Sequence, residues 1–250
     1  MKSREIVLSE RLRSIAQLVS PGKCVVDVGC DHGFLSIYLV QHGISPRVLA
    51  MDVRKGPLSG AREHIAEYGM GKYIETRLSD GLQEYRVGEA QSLVCAGMGG
   101  RLMMKILKES EEKAKALEEL ILQPQSELPA FRRFLRAEGY LTLDENILCE
   151  EGKYYFVFKV CYAPEVLERE PAENDLQRVL YEKYGRLLLQ RRHPVLKEYL
   201  KHMSESAKQI EAGVRSGEGE RTRSRLAEIR QELRDLDAAL ALFAENTLNG

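Results

Sequence analysis

Two acids and two glycines crowd into Asp27-Val28-Gly29-Cys30-Asp31-His32-Gly33, directly after the apolar pair Val25-Val26. A β-branched strand that ends in an acid, turns through glycines and opens a helix-like segment from Phe34 to Gln41 is a strand–loop–helix nucleotide site. It lacks the G-x-G-x-x-G of dinucleotide loops. Bare amides at a helix N-terminus suit a phosphate, but paired carboxylates repel one. The chemistry favoured is a cationic, hydroxyl-rich ligand, and S-adenosylmethionine fits through its sulfonium, free amino group and ribose diol.

Further residues fall in register with that loop. Asp27 would order the loop amides or meet the ligand's amino group, and Gly29 and Gly33 allow close backbone approach. Asp31 and His32 sit where the methionine end would lie, with helix capping by Asp31 and a plain surface histidine as the simpler readings. Asp52 ends the next strand pattern, where an acid accepts ribose hydroxyls. In Ser79-Asp80-Gly81, Asp80 would accept the adenine amino group, or serve only as a turn residue. Cys95-Ala96-Gly97-Met98-Gly99-Gly100 carries three glycines in four positions and no Asn/Asp-Pro-Pro-aromatic motif. Such a segment exposes main-chain groups and leaves room for a flat base. Gln123-Pro124-Gln125 ends the fifth strand on the same edge and would line the base pocket.

The elements that must position these residues alternate. Strands are expected at Cys24–Val28, Val48–Asp52, Tyr73–Leu78, Ser92–Ala96 and Leu120–Gln123, with helices near Leu35–His42, Pro57–Tyr68, Arg101–Glu109 and Leu128–Glu138. Tyr140–Cys149 and Tyr154–Tyr162 flank Glu151-Gly152-Lys153 as an antiparallel hairpin. The expected fold is α/β, a Rossmann-like parallel sheet closed by a hairpin, the layout of class I methyltransferases. Pro164 and Pro171 mark a boundary, giving residues 1–163 as a ligand-binding catalytic domain and 164–250 as a helical one. There Leu196, Leu200, Met203, Ala207, Ile210 and Val214, then Leu226, Ile229, Leu233, Leu236, Leu240 and Phe243, repeat every three or four residues. Two such stripes around Arg215-Ser216-Gly217-Glu218-Gly219 predict an antiparallel coiled-coil hairpin with arms roughly 30 Å long. A helix near Asn174–Gln190 should brace it, and His193-Pro194 should break the path.

Composition narrows the class. The 250-residue chain is 44% apolar, enough for a core, and carries a net charge of −1, which excludes a non-specific polycation. No apolar run is long enough to span a membrane, and Met1-Lys2-Ser3-Arg4-Glu5 has no signal-peptide core, so a cytoplasmic protein is expected. Its five cysteines lack C-x-x-C spacing, so we expect reduced thiols and no metal site, with Cys30 packing rather than attacking. Basic clusters at Arg191-Arg192-His193 and Arg221–Arg225 make the hairpin either a solvated coiled coil or an arm that touches phosphates.

Several segments, in order, resemble the bacterial tRNA (adenine-N1)-methyltransferase family that modifies adenosine 22 in the D-arm. They are Leu8-Ser9-Glu10-Arg11-Leu12, Asp27-Val28-Gly29-Cys30-Asp31-His32, Gly56-Pro57, Asp80-Gly81-Leu82, Ala96-Gly97-Met98-Gly99-Gly100, Gln123-Pro124 and Gly152-Lys153-Tyr154-Tyr155. The likeness spans essentially the whole chain, and the Ala-Gly-Met-Gly-Gly block is its most specific piece. Cys30 stands where a Ser is expected, and Asp52 where a Glu is usual; both permit the same contacts. The resemblance implies methyl transfer from S-adenosylmethionine to N1 of adenine, with the C-terminal coiled coil gripping tRNA.

On that basis Asp27, Gly29, Cys30, Asp31, Gly33, Asp52, Asp80, Gly81 and Ala96 form the expected cofactor site. Asp31, His32, Gly97 and Met98 are the expected positioning residues around the reacting atoms. Arg11, Gly99, Gly100, Arg101, Gln123, Lys153 and Tyr154 are the expected substrate contacts, with Arg13, Lys105 and Tyr155 nearby. Adenine N1 already has an in-plane lone pair, so alignment rather than a general base is required. A nearby carboxylate or carbonyl would offset the positive charge passing to the base. Alternatives at this stage are a methyltransferase for another acceptor, an inactive RNA- or partner-binding relative, and a dehydrogenase, against which the absent G-x-G-x-x-G weighs.

Overall fold

The computed structural model describes residues 5–214 and 220–244. The described chain falls into two compact units, Met1–Glu170 and Pro171–Gly250.

In the first unit, β1 (Val25–Val28), β2 (Val48–Asp52), β3 (Ile74–Leu78), β4 (Ser92–Met98) and β5 (Glu119–Pro124) run parallel. β6 (Tyr140–Glu150) and β7 (Lys153–Tyr162) form the expected hairpin, and β7 pairs antiparallel with β5. The strand order is β3-β2-β1-β4-β5-β7-β6. β1, β2 and β5 are buried at every position, as their near-continuous apolar sequences require of a sheet covered on both faces. The chain winds outward from β1 to β3, then returns to place β4 on the other side of β1. That reversal opens a crevice beyond the C-terminal ends of β1 and β4, the place where open α/β sheets bind ligands.

Three helices cover one face: α1 (Glu10–Leu18), α2 (Phe34–Gln41) and α3 (Lys55–Glu67). Their Ile15, Ala16, Leu35, Ile37, Leu39, Leu58, Ala61 and Ile65 form one core with Val25, Val48, Ala50, Val94 and Ile121 of the sheet. α4 (Gly100–Glu109), the short α5 (Glu111–Lys115) and α6 (Leu128–Ala137) follow β4 and β5, and Phe131 of α6 packs edge-on to Phe158 of β7 at 5.6 Å. α1 is capped by Ser9, whose hydroxyl accepts from Leu12 N. The elements expected from the sequence do not include α1, α5 or α7 (Pro164–Glu168). α5 and α7 are single turns too short to show a period.

The second unit holds α8 (Asp175–Tyr184), α9 (Arg186–Gln190), α10 (Pro194–Val214) and α11 (Glu220–Ala241). The expected helix over Asn174–Gln190 is therefore two, broken at Gly185, whose φ of +93° no helix tolerates. α10 and α11 pack together through Leu196, Leu200, Ala207, Ile229, Leu236 and Ala239. Lys183 of α8 bonds Asp235 of α11 at 2.6 Å, which supplies the expected brace. Ile210 departs from the expected stripe: it is 48% exposed. The expected turn at Arg215–Gly219 lies outside the described residues.

Candidate functional site

A cleft of about 480 Å³ opens along the C-terminal ends of the first four strands, within the size range of small-molecule sites. Its floor follows the strand order. Asp80 and Gly81 lie beyond β3, Asp52 ends β2, and Asp27 to His32 lead out of β1. Ala96, Gly97 and Met98 end β4.

The β1 loop is held open by its neighbours. Gly29 N and Cys30 N donate to the Met51 carbonyl of β2 at 2.8 and 3.0 Å. Asp31 adopts φ +50°, a left-handed conformation that Asp tolerates better than most residues, and its N–H reaches Asp52 Oδ2 at 3.2 Å. Asp31 does not cap α2; that position belongs to Gly33. Gly33 does not line the cleft. A Cβ there would lie 3.2 Å from Ala61 Cβ, so it is a glycine for the packing of α2 on α3. Gly29 at φ +77° faces Met98, whose terminal methyl would sit 2.8 Å from an added Cβ.

Asp27 is 3% exposed and accepts the Ser36 hydroxyl at 2.7 Å. It does not tie the loop amides: those of Gly29 and Cys30 go to Met51 and that of Asp31 to Asp52. Burial, aided by the charge of Asp52 and opposed by the Ser36 bond, pushes its carboxyl up to about 6. Asp52, 4% exposed, accepts from Arg54 N at 2.8 Å as well as from Asp31 N. Arg54 spans the acids, 3.6 Å from both Asp31 Oδ1 and Asp52 Oδ1. Four carboxylates against two guanidiniums, Arg11 and Arg54, line the cleft. That excess suits a cationic ligand, and S-adenosylmethionine fits the donor set: acids for its ammonium and ribose, and backbone without side chains at Gly29 and Gly97.

Cys30 and Cys95 are held as thiols, not thiolates. Burial, with the charges of Asp27, Asp52 and Asp31, pushes the Cys30 thiol far above its ordinary value, and burial raises Cys95 to about 12. Among the described residues no group of three or more His, Cys, Asp or Glu could hold a metal ion, and no helix is long and apolar enough to cross a membrane.

At the end of β4 the ladder with β5 shifts between Ala96 and Met98, so Gly97 is a bulge. It is exposed in the cleft at φ +76°. Arg11 lies across from it, 3.7 Å from where a Cβ would stand. Arg11 donates to Gln123 Oε1 at 3.0 Å and lies 5.7 Å above the Tyr155 ring, while its N–H meets Glu150 at 3.3 Å. The β6–β7 tip is thereby tied to α1.

The expected substrate residues divide. Arg11, His32 and Gln125 line the cleft, and Gln123 does not; it is fully buried. Gly99 and Gly100 start α4, and a Cβ on Gly100 would collide with the Ser126 carbonyl, a packing constraint. Arg101 is exposed beyond them and paired with Glu127. Arg13 and Lys105 are exposed and paired within their own helices, with Glu10 and Glu109. Lys153 is exposed at the hairpin tip, and strand alternation gives it the same side as Tyr155, leaving Tyr154 on the other. The aromatic residue that meets Arg11 is thus Tyr155.

Phe34, Val53, Arg54, Leu102 and Ile106, none of them expected from the sequence, also line the cleft. Phe34 stacks on His64 at 4.6 Å, and His64 Nδ1 meets the His32 carbonyl at 3.0 Å. An apolar residue directly after a strand-ending acid, as in Asp52-Val53, was an available signal. Nothing local marked the others.

Known proteins share this fold. Residues 8–158 match the family described as a methyltransferase domain. The tRNA (adenine(22)-N(1))-methyltransferase of Bacillus subtilis (strain 168) is 35% identical over 171 residues, 68% of this chain and 68% of that protein. The crystal structure of the B. subtilis m1A22 tRNA methyltransferase TrmK superposes with a TM-score of 0.80 at 26% identity, covering 94% of this chain and all of that one. Streptococcus pneumoniae Sp1610 in complex with S-adenosyl-L-methionine superposes with the same score, identity and coverage.

Proposed function

Because the chain belongs to the bacterial tRNA (adenine(22)-N1)-methyltransferase family, we propose that it transfers a methyl group from S-adenosylmethionine to N1 of adenosine 22 in the D-arm of tRNA. The observation that carries the reading is the single cleft that joins the acid-lined ends of β1, β2 and β3 to the bare Gly97 bulge of β4.

Bound S-adenosylmethionine supplies the electrophilic methyl. The chain's own residues bind and align. Asp27 and Asp31 face the ammonium end, Asp52 the ribose and Asp80 the adenine. Gly97 leaves the opening through which a flat base approaches, with Met98 behind Gly29 and His32 at the rim. The target nitrogen brings its own lone pair, so the work is orientation. Asp31 and the main-chain carbonyls of the bulge offset the charge that moves onto the base. N1 lies on the Watson–Crick edge, so the adenosine must be unpaired to enter. Arg11, Arg101, Lys153 and Tyr155 border the side from which RNA would come.

We assign catalysis to the first unit and tRNA binding to the second, whose division at Pro171 rather than the expected residue 164 keeps α7 with the first; Lys197, Lys201, Arg221 and Arg223, exposed on α10 and α11, support the second role. A tRNA substrate supports a cytoplasmic site of action.

The test is incubation of the protein with labelled S-adenosylmethionine and unmodified bacterial tRNA, with methylated nucleosides mapped by mass spectrometry. 1-Methyladenosine at one D-arm position is expected. Cofactor binding without RNA methylation would turn the reading toward another acceptor or an inactive binding protein.

A further inference from the structure

Two donors from distant parts of the chain converge on one buried oxygen. Gln123 Oε1 accepts from Gly97 N at 3.2 Å and from Arg11 Nη1 at 3.0 Å, and Gln123 is 0% exposed. An amide oxygen has two lone pairs, and both are used here. The convergence also fixes the amide's orientation, since its NH₂ cannot face two N–H groups.

The first donor belongs to the β4 bulge. In the ladder, Ala96 pairs with Gln123 and Met98 with Pro124, which leaves the Gly97 N–H without a regular strand partner. The Gln123 side chain takes that place. In a trans peptide the N–H and the preceding C=O point in opposite directions. With Gly97 N–H turned back onto β5, the Ala96 carbonyl is turned to the β1 side. There β1 has already ended, its last pairing with β4 being Val28 with Cys95, and Gly29 begins the loop. The second donor, Arg11, stands at the cleft across from Gly97.

We infer that Gln123 is a positioning residue for methyl transfer: its single oxygen sets both the Ala96–Gly97 peptide and the Arg11 guanidinium against the reacting atoms, without touching cofactor or base. The inference rests on the methyltransferase reading above and assigns to this buried amide the alignment on which the rate depends.

Three proteins test it: wild type, Gln123→Met and Gln123→Glu. Methionine has similar length and no strong acceptor, whereas a carboxylate can accept from both donors. Gln123→Met should fold and bind S-adenosylhomocysteine, yet lose about 100-fold in kcat, the scale expected of a small misalignment. KM for the RNA should change far less than kcat. Gln123→Glu should restore kcat to within about fivefold of wild type, since it keeps the acceptor. Hydrogen exchange at the Gly97 amide requires no turnover; it should accelerate in Gln123→Met and stay slow in Gln123→Glu. A Gln123→Met protein with wild-type kcat, a Gln123→Glu protein as slow as Gln123→Met, or an unchanged Gly97 amide in Gln123→Met overturns the proposal. Wild-type turnover reads the methyltransferase assignment separately, and the exchange measurement judges Gln123 even if the acceptor proves to be another molecule.

Discussion

Asp27 Oδ2 accepts the hydroxyl proton of Ser36 at 2.7 Å, and the two residues are 3% and 0% exposed. The cleft therefore includes a buried carboxyl in surroundings that disfavour the charge a cationic cofactor needs. Burial and the charge of Asp52 hold this group at about 6, against an ordinary 3.8. With the native value raised, the folded protein holds the proton more tightly than the unfolded chain. The group's contribution to stability is present below about pH 4 and is lost as pH rises through 6. Cofactor binding reverses the preference, because an ammonium beside Asp27 stabilises the anion. Affinity for S-adenosylhomocysteine, which keeps the ammonium, should be flat above pH 7 and fall about tenfold per unit below pH 6. Calorimetric titration of wild type and Asp27→Asn checks this; the variant should bind more weakly and lose the pH dependence. Ser36→Ala should move the inflection upward, since the Ser36 bond is what pulls the value down.

Gly97→Ala separates binding from turnover. At φ +76° an alanine costs about 1–2 kcal/mol of backbone strain, a tolerable loss for a folded domain. Its methyl would stand in the cleft 3.7 Å from Arg11 Nη1, in the opening assigned to the base. Cofactor affinity should stay within a few-fold of wild type while kcat/KM for tRNA falls at least tenfold, by about 1.4 kcal/mol or more in the barrier. A variant that loses both in proportion would place Gly97 in the cofactor pocket instead.

How far the site was legible follows from where each residue's meaning is set. Asp27, Gly29 and Asp52 could be read because each sits at or near the end of an apolar run, and Asp80 because it follows the third strand; strand-end position alone puts each on the crevice edge. Gln123 shares that edge, yet its side chain turns inward because Arg11, 112 positions earlier in the chain, and the Gly97 bulge both need an acceptor. No local pattern announces a partner so distant. The choice between Tyr154 and Tyr155 likewise depended on α1 docking at the hairpin tip through Glu150. In the second unit the heptad stripe marked α10 and α11 correctly. It overstated the burial of Ile210, because periodicity records which side an apolar residue faces, not whether a third layer covers it. The break between α8 and α9 was visible as Gly185, but a single glycine is compatible with a continuous helix.

At the opposite edge of the sheet, Glu119 is 2% exposed and bonded by Ser20 N, Ser20 Oγ and Ser92 Oγ, with Lys23 and Lys159 at 3.3 and 3.1 Å. Burial alone would raise its carboxyl, but these hydrogen bonds and ammonium groups outweigh it and hold the value at about 2, against 4.5. A lowered native value gives stability that is complete above pH 4.5 and is lost as pH falls toward 2. Glu119→Gln should cost on the order of 3 kcal/mol at pH 7 and flatten the acid limb of the stability curve. Urea unfolding of both proteins between pH 3 and 7 measures it. Because Glu119 lies far from the ends of β1 and β4, cofactor affinity of the folded variant should not change.

The C-terminal unit should betray its partner through salt. Lys197 and Lys201 on α10, with Arg221 and Arg223 on α11, are exposed. Each cation that meets a phosphate releases a counterion, so log K for tRNA should fall linearly with log salt, and each lost contact should reduce the slope by about 0.7–0.9. Replacing Arg221 and Arg223 by Gln should weaken tRNA binding and reduce the slope by nearly two, while S-adenosylhomocysteine affinity stays at its wild-type value. The same change in Arg47 and Lys72, exposed just before β2 and β3 at the end of the sheet away from the cleft, removes the same charge and serves as the control for net charge alone. If all these variants bind tRNA with the wild-type slope, the hairpin surface is a solvated coiled coil, and the grip on RNA lies with Arg11, Arg101 and Lys153 around the cleft.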